Sequence, residues 1–162
     1  MVREILLLGD PRLYEVSEEV RREELAQLGA LRDDLRDTLL AFRKRYGAGR
    51  AIAAPQIGVR KRVIYRMLDT PVLFCNPVLE FPDDEQYEVL DDCMSFPGLF
   101  VRVLRHRRVT VRYRDERWNA CRLDLEGDMA ELIQHEADHL DGVLATMRAI
   151  DARSFSMKGG VL

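Results

Sequence analysis

The residues best suited to chemistry lie in His135-Glu136-Ala137-Asp138-His139. Histidines four apart share one face of a helix, so both imidazoles can bind a single metal ion. The carboxylate after the first histidine can then reach an activated water and handle its proton. Only three histidines occur in the chain, and two fall here. Two histidines do not complete a site, and the familiar metalloprotease extension fails: Gly142 stands at its glycine position, but Ala145 stands where a third histidine should be.

The third ligand is therefore sought among the cysteines. Cys75 lies in the apolar run Val72-Leu73-Phe74-Cys75, and Cys121 shares an alternating face with Leu123 and Leu125, so both read as core. Cys93, in Leu90-Asp91-Asp92-Cys93-Met94-Ser95-Phe96-Pro97-Gly98, sits between two acids and a turn, where a strand would end and present a thiolate. A thiolate with two imidazoles suits Zn or Fe(II) and leaves a position for water. His106, within Arg105-His106-Arg107-Arg108, reads as part of a solvated basic rim.

The elements that must position these groups follow from periodicity. Leu25, Leu28, Leu31, Leu35, Leu39, Phe42 and Tyr46 form one stripe and predict a helix over 18–46, ended by Gly47-Ala48-Gly49. Strand composition marks 62–65, 72–75, 109–113 and 120–125, separated by turn signals at 69–71, Asn76-Pro77, 81–84 and Pro97-Gly98. A second helix is expected over 128–140, with Asp128 and Glu131 as a capping box and Gly142 as its stop. The reading is α+β: mixed or antiparallel sheets around a central helix that bears the HExxH motif, in a single domain over 1–162 with a frayed tail from about 152–154 onward.

Composition sets the class. The chain has 162 residues, 47% hydrophobic and 33% charged, with a net charge of −3. That is an ordinary globular balance with no global basic field for nucleic acid. No run approaches a membrane span, no signal peptide is visible, and three widely spaced cysteines do not make a disulfide framework. A cytoplasmic protein with reduced thiols is expected.

Three segments together resemble the peptide deformylase family: Gly49-Arg50-Ala51-Ile52-Ala53-Ala54-Pro55-Gln56, Asp91-Asp92-Cys93-Met94-Ser95 and Gln134-His135-Glu136-Ala137-Asp138-His139. The resemblance extends over about residues 3–151. It implies removal of the formyl group from formylmethionyl peptides, with release of formate, by a hydroxide generated on one divalent metal. Fe(II) would be the physiological ion and Zn or Ni substitutes, held by Cys93, His135 and His139. It implies that Glu136 shuttles the proton, and that the Gln56 side-chain amide and the Met94 N–H hold the oxyanion. Gly49, Arg50, Ala51, Asp91 and Asp92 would line the peptide groove.

The sequence departs from the family pattern at several points. Asp91 replaces a glutamate and could still pair with Arg105. Asp92 and Ala51 each replace a glycine, and Arg50 stands where an apolar residue is common. The short tail leaves ribosome docking through a C-terminal helix in doubt, and a monomer is expected. Asp92 and Arg50 motivate the alternative of another N-formyl or small amide substrate. A non-catalytic peptide-binding paralogue is a third reading, weakened by Glu136 and Gln56.

Overall fold

In a computed structural model, which describes residues 1–157, two helices pack on two antiparallel sheets. The helices are α1, Leu25–Tyr46, and α2, Asp128–Leu140. The strands are β1 Ala51–Ala53, β2 Val63–Met67, β3 Pro71–Glu80, β4 Gln86–Asp91, β5 Leu99–His106, β6 Arg108–Arg114, β7 Ala120–Glu126 and β8 Phe155–Met157. One sheet runs β1-β2-β3-β6-β7 and the other β4-β5-β8. No helix among the described residues is long and apolar enough to cross a membrane.

The apolar stripe of α1 is used as its spacing demands. Leu28, Leu35 and Leu39 are buried against Ile52, Val63, Tyr65 and Leu73, and Gly47 ends the helix at φ 70 with its N–H on Arg43 O. The helix begins seven residues later than the sequence reading placed it. Residues 18–20 are engaged elsewhere: Glu18 bridges Lys61, its carbonyl accepts from the Arg62 N–H, and the Val20 N–H donates to Asn76 Oδ1. Backbone groups so committed cannot join a helical ladder.

Helix α2 spans the expected residues and buries Ala130, Ile133 and Leu140 against Ala53, Ile64, Phe74, Val109 and Val111. The expected capping box is absent. Gly127 holds the N-cap at φ 63, Asp128 is already helical, and Glu131 bonds Arg50 instead. At the other end Gly142 has φ 72, and a Cβ there would lie 2.4 Å from the Tyr14 carbonyl oxygen. Only glycine lets the helix exit press so closely on the N-terminal segment.

Three further expectations are corrected. Asn76-Pro77 is not a turn but a bulge inside β3, where the pairing slips from Cys75↔Arg114 to Val78↔Arg112 and Asn76 takes φ 50. The extra residue lets proline sit in a strand without breaking the ladder. Cys121 shares its face with Leu123 and Leu125 but is only half-buried, because β7 is the sheet edge. The chain after 153 is not frayed as far as 157: Ser154 is 2% exposed and β8 pairs with Leu99–Val101 of β5. The rest of the expected tail, 158–162, lies outside the described residues.

Candidate metal centre

The three segments singled out in the sequence converge in space. After β1 the chain enters a 3-10 turn, Ala54–Ile57, started by Pro55 and closed by Gly58 at φ 79. This turn folds Gln56 back so that its Oε1 accepts from the Ala53 N–H at 2.9 Å. With the oxygen so fixed, Nε2 points outward to Ser95 Oγ at 3.1 Å and Cys93 Sγ at 3.5 Å. Cys93 follows the end of β4, and its sulfur also receives the Ser95 N–H at 3.5 Å. From α2, His139 Nε2 lies 3.3 Å from that sulfur, and the rings of His135 and His139 stand 5.1 Å apart.

Cys93, His135 and His139 are all buried, and their ligand atoms lie within 4.8 Å of one another. The donor set fits a borderline divalent ion such as Zn or Fe(II). Three ligands, rather than the four of a closed structural site, is the count of catalytic centres.

The orientation of His135 is set from behind. Asp91 Oδ2 lies 2.9 Å from His135 Nδ1 and 3.0 Å from Arg105 Nη2. This leaves Nε2 as the ring's ligand atom. Arg105, 3% exposed, also donates to Asp138 Oδ2 at 2.6 Å, and Asp138 is clamped in turn by Arg148. Burial alone would raise the Asp91 carboxyl, but His135 and Arg105 override it and hold it near about 2. Burial disfavours charge on His139, and neighbouring His135 adds to this, so it is held neutral, the form in which imidazole binds metal.

Glu136 lies on the same helix with its Oε2 buried and without a partner among the described residues. Burial, supported by nearby Asp91 against the opposing His135, pushes its carboxyl up to about 7. A carboxyl poised near neutrality can both take and return a proton.

Cys93, His135 and Glu136 open onto a cleft of about 250 Å³ that is also lined by Gly49, Arg50, Ala51, Asp92, Met94 and Glu131. Asp91 borders it too, but its carboxylate turns to His135 and Arg105. Asp92 is exposed and keeps a negative φ, so the backbone here does not require the glycine it replaces. His106 lies outside the cluster. It stacks on Phe81 at 3.9 Å, and its backbone is held at both N–H and C=O by the Gln134 side chain, which ties β5 to α2.

The basic-rim reading fails for Arg105, which is buried, while the pairing expected between Asp91 and Arg105 is present. Asp138, Arg148 and Ser95 were missed as site residues. The signal for Arg105 was the inward alternation Val101, Val103, Arg105 along β5.

A buried cysteine sulfur and two imidazoles beside a carboxyl poised near neutrality define a metal-dependent hydrolase. A family model described as polypeptide deformylase matches residues 2–154. A peptide deformylase of Treponema pallidum is 40% identical over 152 residues, which cover 93% of this chain and 90% of the relative. The crystal structure of the Thermotoga maritima peptide deformylase superposes with a TM-score of 0.85 at 30% identity, covering 93% of this chain and 99% of that one. A Synechococcus elongatus peptide deformylase in complex with actinonin gives 0.82 at 32% identity, over 93% and 80%. The chain belongs to the polypeptide deformylase family.

Proposed function

We propose that this protein removes the formyl group from the terminal methionine of newly made peptides, releasing formate, with Cys93, His135 and His139 holding Fe(II), for which Zn or Ni can substitute. The observation that carries the reading is the placement of Glu136, with its buried, unpartnered oxygen, on the cleft that two of the three ligands, Cys93 and His135, also line. A divalent ion held there supplies Lewis acidity, which polarises the formyl carbonyl and makes water a competent nucleophile near neutral pH.

The chain's own groups do the rest. Glu136 takes the proton of the attacking water and returns it to the departing amine nitrogen as the C–N bond breaks. Gln56 Nε2 and the Met94 N–H, which has no backbone acceptor among the described residues, provide the two donors for the oxyanion. The edge of β1 offers its backbone to an extended peptide. The cytoplasm, where formylated nascent chains emerge, is the compartment this activity requires.

The test is Glu136→Gln. The substitution keeps all three ligands, so metal content should stay at one equivalent while formate release from formyl-Met-Ala-Ser falls by about 10²-fold or more. Near-normal turnover in the metal-loaded variant would overturn the assignment.

A further inference from the structure

Glu131 is a buried carboxylate, 6% exposed, that neither the ligand set nor the proton path employs. Its Oε1 accepts from Arg50 Nη2 at 2.6 Å, and both residues border the cleft that holds Glu136. Glu131 precedes His135 by four residues on α2, so it occupies the same helix face about one turn, roughly 5–6 Å, away. In a formyl peptide, the α-carbon next to the reacting nitrogen carries the side chain that spans this distance. The same cleft is also lined by Phe42, Tyr46 and Leu132, whose side chains are largely apolar.

The ion pair uses one of the five guanidinium N–H donors of Arg50, and the others have no acceptor among the described residues. A thioether closing over the pair would strip water from these donors and from the second Glu131 oxygen, returning no hydrogen bond. A carboxamide of equal length returns both, its oxygen accepting from Arg50 and its nitrogen donating to Glu131. A carboxylate in that place would face Glu131, with Asp92 also on the cleft border; an ammonium would face Arg50.

We propose that the Arg50–Glu131 pair is the specificity wall for the substrate's first side chain, and that it extends the substrate class to formyl peptides whose first residue ends in a neutral hydrogen-bonding group of glutamine length. This inference rests on the deformylase reading.

The experiment compares kcat/KM for formyl-Met-Ala-Ser, formyl-Gln-Ala-Ser and formyl-Glu-Ala-Ser in the metal-loaded full chain, in Arg50→Leu/Glu131→Leu and in Glu131→Gln. Exchange of an ion pair with a buried carboxylate for apolar side chains is commonly tolerated, and Glu131→Gln preserves shape if the double variant does not fold. Wild type should cleave the Met and Gln peptides within about tenfold of each other, and the double variant should raise the Met-to-Gln ratio by about tenfold or more. Glu131→Gln should raise the formyl-Glu rate relative to formyl-Gln by about tenfold. Unchanged ratios in the folded variants, or a wild-type preference for methionine above about a hundredfold, would overturn the specificity role while leaving the deformylase reading intact. Release of formate from none of the peptides would remove the deformylase reading and this inference with it.

Discussion

Asp91 and His135 are joined by a 2.9 Å contact between carboxylate and Nδ1, and the same carboxylate oxygen is held by Arg105. Metal affinity is therefore expected to depend on a residue that is not itself a ligand. Asp91→Asn should weaken metal binding by about 10- to 100-fold, read by competition with a chelator of known affinity, whereas Asp91→Glu should recover most of it. Equal chelator resistance in wild type and Asp91→Asn would mean that the contact does not tune the ligand.

The three thiols should separate cleanly. Cys93→Ala should lose most bound metal, while Cys75→Ala and Cys121→Ala keep one equivalent. Cys75 is fully buried and its thiol is pushed up to about 12, chiefly by burial, so it should resist alkylation in the native state while half-buried Cys121 reacts. Full metal occupancy in Cys93→Ala would remove the thiolate from the site.

For Gln56, two effects need separating. Its amide is expected to act on the transition state, so Gln56→Ala should lower kcat by roughly 10² to 10³ with little change in KM. The substitution also leaves the buried Ala53 N–H without its acceptor, a cost of about 1–3 kcal/mol that should appear in denaturant unfolding. A change confined to KM would make Gln56 a ground-state contact instead.

Asp92 makes no ion pair among the described residues and borders the cleft. Asp92→Gly should raise kcat/KM on formyl-Met tripeptides, most for those with acidic residues after the methionine, and the excess should shrink with salt. Equal, salt-independent ratios for acidic, neutral and basic tripeptides would show that the carboxylate does not face substrate.

Much of the site was legible because its parts are local. Two histidines at helical spacing, with a glutamate between them, state their geometry in five residues. Cys93 stood out because its neighbours Asp91, Asp92 and Ser95 are unlike the apolar runs around Cys75. What the sequence hid depends on pairing across strands. Arg105 sits in a run of four basic residues that resembles a solvated face, yet strand alternation turns it inward while Leu104 turns outward. Glu131 has the spacing of a cap, and only the approach of β1 to α2 reveals its partner Arg50. Asn76-Pro77 carries the composition of a turn, and a bulge uses the same composition. The strand 155–157 is too short to show a period and exists because β5 offers it an edge.

The close approach of Gly142 to Tyr14 belongs to a larger stitching. The N–H groups of Leu6, Leu8 and Ser17 donate to the carbonyls of Gln56, Ser95 and Leu140, each at 2.8 Å, so one short N-terminal arm is sewn to all three segments that build the centre. Those segments are far apart in the chain, and no covalent tie registers them to one another. The arm is a shared jig added to the contacts that the segments make directly, Gln56 with Ser95 and Asp91 with His135, so that sulfur, imidazoles and amide are referenced both to one another and to it.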